Sequence, residues 1–259
     1  APLVDCPVLA GKQPYKIAAG DLDGDGFDDL VVTIRGGNPA FFTLLSDQAG
    51  GFGTAVAWTG GGSVNDIPGV ALADFDLDGD LDVFHSTFYF ENIGAASFAA
   101  PASYPSGFNG RHDIVVADVT LDGWPDALGV GHSDSGGWSL LPGDGAGGFA
   151  TPSTWRAGEM ARAISVGDVD GDGDADVVAA NAGSLNFTVH TNEGGSFSLP
   201  PTYPASGLAK ESDAADIDGD GDVDVVTTYS AVYTFFNDGS GALIPIAGAP
   251  QTGGNMTKP

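Results

Sequence analysis

The chain is short of positive charge: eight Lys and Arg stand against 35 Asp and Glu in 259 residues, a formal net charge of −27. Such a chain lacks the basic stripe that phosphate backbones require, so nucleic acid is excluded as a partner. One cysteine, Cys6, rules out an intrachain disulfide framework and reads as a buried thiol on a first strand. No apolar stretch is long enough to span a bilayer, and none has the form of a leader peptide; Ala1 reads as a processed N-terminus. No segment has the 3.6-residue period of an amphipathic helix. The nucleophile elbow GxSxG, the zinc motif HExxH and the P-loop are all missing, and Arg111-His112-Asp113 is the only compact acid/base cluster.

What the chain does have is one acidic nine-residue loop written five times, beginning at Asp21, Asp74, Asp118, Asp168 and Asp216. Counting the first residue as position 1, side-chain oxygens recur at positions 1, 3, 5 and 9. They belong to Asp21, Asp23, Asp25 and Asp29; Asp74, Asp76, Asp78 and Asp82; Asp118, Thr120, Asp122 and Asp126; Asp168, Asp170, Asp172 and Asp176; and Asp216, Asp218, Asp220 and Asp224. Glycine holds position 6 throughout. Hard oxygen donors alternating around a glycine turn suit a hard cation, and calcium takes 6–8 oxygens in a flexible shell. The loop is not an EF-hand. Position 12 is Val32, His85, Gly129, Ala179 or Thr227 where an EF-hand needs a bidentate Glu, and the flanks are β-rich. A single Asp/Gly loop would be an ordinary turn; five at this spacing point to up to five bound calcium ions. Twenty-three of the 35 acidic residues lie in these loops, so the acidity is mostly ligand carboxylate.

The loops start at intervals of 53, 44, 50 and 48 residues. Each interval repeats one order of parts: a short apolar strand into the loop, a second out of it, a third after a Gly/Ser/Asn turn, then a Gly-rich turn closing on Phe (Gly50-Gly-Phe52, Ala96-Ser-Phe98, Gly147-Gly-Phe149, Gly195-Ser-Phe197) and a fourth strand. Four antiparallel strands per unit of this length make a propeller blade. The expectation is an all-β, single-domain propeller over residues 1–259 with five four-stranded antiparallel blades; a fragment of a six- or seven-bladed propeller is the alternative. The segments at residues 3–9 and 242–246 both occupy an outermost-strand place, so one is surplus and the sequence leaves open which closes the ring.

The acidic loop, the apolar strand after it and the Gly-Phe turn resemble FG-GAP/VCBS-type repeats, the blades of integrin α-chain propellers and of many secreted bacterial proteins. The resemblance covers nearly the whole chain. It implies calcium at positions 1, 3, 5 and 9, with the position-7 carbonyls of Phe27, Asp80, Trp124, Asp174 and Asp222 completing the shells. The third loop departs from it: Thr120 replaces an aspartate and Pro125 stiffens the exit, so a weaker site is expected there.

The few cations point to a face. In a four-stranded blade the calcium loops emerge at one end, while Lys12, Lys16, Arg35, Arg111, Arg156, Arg162 and Lys210 map to connections at the other. A polar site for a sugar, carboxylate or peptide is expected there, with Arg111, His112, Trp155, Arg162 and Lys210 as candidates. The reading is a calcium-stabilised extracellular or periplasmic binding module, a lectin or an adhesion domain, whose partner is a glycan or an extracellular protein. A polysaccharide lyase or hydrolase on the same scaffold and a structural spacer are the alternatives.

Overall fold

The structure, a computed structural model, describes residues 9, 11–36, 38–60, 69–104, 111–131, 136–198, 201–204, 210–228 and 232–245. Cys6, the segment at residues 3–8 and the side chains of Arg111 and His112 lie outside them. All regular elements among these residues are strands, apart from a single 3-10 position at Leu9.

The strands form five separate four-stranded antiparallel sheets, each a simple meander. The first holds β1 (Pro14–Gly20), β2 (Asp29–Ile34), β3 (Phe41–Leu44) and β4 (Val56–Trp58). The second holds β5 (Val70–Ala73), β6 (Asp82–His85), β7 (Phe88–Phe90) and β8 (Ala102–Ser103). The third holds β9 (Arg111–Ala117), β10 (Asp126–Gly131), β11 (Trp138–Leu141) and β12 (Ser153–Trp155). The fourth holds β13 (Ala161–Gly167), β14 (Asp176–Asn181), β15 (Asn186–His190) and β16 (Thr202–Pro204). The fifth holds β17 (Glu211–Ala215), β18 (Asp224–Thr228), β19 (Val232–Asn237) and β20 (Leu243–Pro245). This is the five-bladed, propeller-like arrangement the repeat implied. The first strands of successive blades pack in chain order, β1 on β5, β5 on β9, β9 on β13 and β13 on β17, so they are the innermost ones.

Sequence pattern explains which strands are central. β2, β6, β10 and β14 read as near-continuous apolar runs and are buried along almost their whole length. A strand covered on both faces by neighbouring blades needs no polar alternation. β4, β8, β12 and β16 are short and mostly exposed, as sheet edges are.

Aromatic wedges join the blades. Phe98, in the turn after β7, packs edge-on against Trp58 and Phe41 of the first blade at 4.9 and 5.7 Å between centroids. Phe149 does the same to Phe75 and Phe84 of the second blade, both at 5.2 Å. Phe197 meets Trp138 and Trp155 of the third at 4.8 and 5.2 Å. Such aromatic pairs add roughly 0.5–1.5 kcal/mol each beyond the area they bury. Phe52 of the first blade, whose partner would be the fifth, is 45% exposed. β1 and β17 also alternate exposed positions, whereas β13 is largely buried. Among the described residues the seam between the fifth and first blades is therefore packed less than the interior seams. One long side chain does reach it: Lys16 of β1 places Nζ 2.7 Å from Asp113 Oδ1 of β9 and 3.5 Å from Glu211 Oε2 of β17.

Candidate metal centres

Each acidic loop is the connection between the first two strands of its blade. The residue before the loop pairs with position 9: Gly20 with Asp29, Ala73 with Asp82, Ala117 with Asp126, Gly167 with Asp176 and Ala215 with Asp224. The loop folds over its own first aspartate. In the first copy Asp21 Oδ1 accepts the amides of Gly24 and Asp25 at 2.8 and 3.1 Å, and Oδ2 accepts that of Gly26 at 2.8 Å. Position 5 then fixes position 7: Asp25 Oδ1 accepts the Phe27 amide at 2.9 Å, and Asp172 accepts that of Asp174 at 2.9 Å.

Position 9 is fully buried in all five copies. One of its oxygens accepts the position-2 amide and the other accepts the amide of a residue two past the third strand or, in the fifth blade, at its end. For Asp176 these are Val169 at 2.8 Å and Asn192 at 2.7 Å. Asp29 takes Leu22 and Ser46, Asp82 takes Phe75 and Asn92, Asp126 takes Val119 and Gly143, and Asp224 takes Ile217 and Asn237, all at 2.7–3.0 Å. Position 9 is thus a staple between loop and sheet as well as a candidate ligand. Sequence reasoning missed that second role, because backbone amides leave no mark in a sequence.

Four sets of three carboxylates bring ligand oxygens within 4.8 Å of one another: Asp21, Asp23 and Asp29; Asp74, Asp76 and Asp78; Asp168, Asp170 and Asp176; Asp216, Asp218 and Asp224. Oxygens bound to one calcium at about 2.3–2.6 Å lie at most about 5 Å apart, so each set has the span of a single ion. The electrostatics fit as well. Burial, followed by the neighbouring aspartate at position 5, raises the carboxyls of Asp23, Asp76 and Asp170 above the usual carboxylate range. Asp82 and Asp176 are pushed up to about 6, mainly by burial, which their amide hydrogen bonds only partly offset. Oδ1 of Asp170 is buried and accepts no hydrogen bond. Carboxylates held together and partly desolvated are what a hard divalent cation would satisfy.

Not every predicted ligand is in a set. Asp25, Asp172 and Asp220 at position 5 stand outside the three-carboxylate sets, while Asp78 joins one in place of Asp82. Among the described residues the third loop assembles no such set. Thr120 there turns inward instead: its amide bonds Asp126 Oδ2 at 3.0 Å, and its hydroxyl lies 3.5 Å from Oδ1.

Three of the predicted ligand residues at the other end of the blades, Trp155, Arg162 and Lys210, fall among the described residues. Arg162 lies in β13 and Lys210 directly precedes β17. Trp155 stacks on Trp138 at 4.4 Å with 12° between planes, so its ring is committed to the blade. An ion-paired residue outside the predicted set, Lys16, also lies there. Burial pushes its ammonium down, but Asp113 and Glu211 more than offset this and hold it above its ordinary value. The spacing of Lys16 put it on this face; its partners, far away in the sequence, could not be read.

No curated protein matches the chain. Among solved structures, the V. cholerae biofilm matrix protein Bap1 is similar over 88% of this chain with 19% identity and a TM-score of 0.51; this chain spans 38% of the Bap1 chain. BBS1N, solved in complex with ARL6DN, is similar over 91% of this chain and 83% of its own with 12% identity and a TM-score of 0.49. At these identities the likeness concerns the fold alone. A family model described as the FG-GAP-like repeat matches residues 21–85, 118–179 and 168–227, more than half of the chain and all five acidic loops in full, the three stretches beginning on Asp21, Asp118 and Asp168. The chain belongs to the FG-GAP-like repeat family.

Proposed function

We propose that this chain is a calcium-stabilised extracellular adhesion module, folded around ions held by its acidic loops and presenting a rigid face to a partner. The observation that carries the reading is the recurrence of one-ion-sized carboxylate sets at the same place in four blades. Without counter-ions, 23 loop aspartates in a chain of net charge −27 repel one another. A cation that binds only the folded state converts that repulsion into stability. Millimolar calcium is an extracellular condition, and weak extracellular-type sites suffice there. No helix among the described residues is long and apolar enough to cross a membrane.

Chelation tests the reading. At a hundredfold excess of calcium over Kd, each site adds about 2.7 kcal/mol, so excess EDTA lowers the melting temperature sharply. Calorimetric titration of the chelated protein saturates at about four ions, one for each carboxylate set, with the third loop contributing least. An identical melting curve with and without EDTA refutes the calcium reading and leaves the loops as turns.

A further inference from the structure

Position 4 of the acidic loop adopts a left-handed backbone. In the first, fourth and fifth copies it is Gly24, Gly171 and Gly219, at φ of 77°, 78° and 81°. In the second and third it is Leu77 and Leu121, both at φ 61°. That region crowds the Cβ of an L-residue against its own carbonyl, and glycine alone enters it freely. The position also points outward: a Cβ built on any of the three glycines meets nothing within 4 Å. Leu77 and Leu121 are accordingly 54% and 46% exposed. They strain the backbone and bury little, so folding does not account for them.

They are not alone at that end of the blades. Ile93 is 61% exposed, Phe27 46% and Trp124 38%. Hydrogen bonds tie these residues' loops and turns into one surface. Ala96, in the turn that carries Ile93, donates to Leu22 O in the loop of Phe27 at 3.0 Å. Gly147 of the third blade donates to Phe75 O, in the loop of Leu77, at 3.2 Å. Trp124 lies over that same turn: a Cβ on Gly145 would come within 2.6 Å of its indole Nε1. The fourth and fifth loops carry Asp174 and Asp222 where the first and third carry Phe27 and Trp124. The apolar patch therefore belongs to the first three blades and is not a general property of the repeat.

Charge decides what fits it. The first three loops contain 13 aspartates, the neighbouring positions add Asp47, Glu91 and Asp144, and residues 21–29, 46–52, 74–82, 91–98, 118–126 and 143–149 contain no Lys or Arg. Three divalent cations would neutralise fewer than half of those loop aspartates. The face stays anionic when loaded, which opposes an anionic bilayer and favours a cationic partner. Contiguous exposed apolar groups rimmed by polar ones mark protein interaction surfaces.

We propose that the ion-loop end of the first three blades, centred on Leu77, Leu121 and Trp124, is a docking surface for a basic polypeptide segment that interleaves Lys or Arg with apolar side chains. The proposal rests on the adhesion reading for its setting and places the contact on the face opposite the cations. Its test uses calcium-saturated protein and a short peptide of alternating Lys and Leu at physiological salt. Replacing both leucines by the residue the other loops carry, Leu77→Gly/Leu121→Gly, holds or raises the melting temperature and weakens peptide binding by about tenfold or more; Trp124→Ser weakens it independently. Peptides with Ser for Leu, or Glu for Lys, bind the parent protein far more weakly. Equal binding by the parent and the double-glycine variant overturns the proposal. So does a failure of the parent protein to bind the peptide, and so does capture by phosphatidylserine vesicles without peptide binding, which would make the occupant a membrane. Calcium-dependent melting is read separately, so a protein that calcium stabilises but that ignores the peptide refutes the docking surface and leaves the adhesion module standing.

Discussion

Asn192 is a single buried side chain that joins two blades, and its removal has a calculable cost. Its Nδ2 donates to Val119 O of the preceding blade at 2.9 Å and to Ala175 O of its own loop at 3.2 Å, while its Oδ1 accepts the Gly195 amide at 2.8 Å. Asn92 bridges Leu22 O and Leu81 O in the same way, and Asn237 bridges Val169 O and Val223 O. Asn192→Ala deletes three neutral hydrogen bonds worth about 1 kcal/mol each and strands their buried partners, a loss of about 2–3 kcal/mol. For a domain of this size that lowers the melting temperature by roughly 5–10 °C. Asn192→Asp keeps the shape but turns an acceptor toward two carbonyl oxygens, and costs more than alanine. Urea unfolding in saturating calcium measures both, with equal m-values required for the comparison. The third blade is a built-in contrast: it has Gly143 at this place, and a Cβ there would collide with the Pro125 carbonyl oxygen. A cost for Asn192→Ala below about 0.5 kcal/mol, the level of an unremarkable surface substitution, would refute the clasp.

His190 packs edge-on against Trp138 at 5.5 Å, and burial pushes its imidazole down to about 4. As pH falls, the unfolded chain takes up this proton near 6.5 before the folded one does, so stability present above 6.5 is lost between about 6.5 and 4, by at most about 3 kcal/mol. The difference between parent and His190→Leu across pH 4–7 isolates the effect, and a flat difference would contradict it. Lys16→Met leaves Asp113, itself raised by burial, without its ion partner. With about a quarter of the lysine side chain exposed, the cost after screening is about 1–2 kcal/mol; Lys16→Met/Asp113→Leu recovers part of it in urea unfolding, and a double variant no more stable than the single would count against the pair.

The blades were legible because everything that makes one is local. An apolar strand, an acidic turn and a second apolar strand fall within about twenty residues, and the turn residue types state their own geometry. What joins the blades was not legible in the same way. The clasp asparagines follow position 9 by 10, 16 and 13 residues, so the fixed spacing that exposed the loops hid them; the signal that survives is the tripeptide Asn-x-Gly at Asn92, Asn192 and Asn237. Trp155 reads equally as a sugar platform or as packing until Trp138 and Phe197, the latter from the next blade, are seen around it. Lys16 could be placed on a face, but Asp113, 97 residues away, meets it only through the arrangement of the blades. Leu77 and Leu121 show the limit most sharply. In the sequence they are tolerated variation at a loop position, and only the left-handed backbone beneath them turns that variation into a strained, exposed choice that folding alone does not explain.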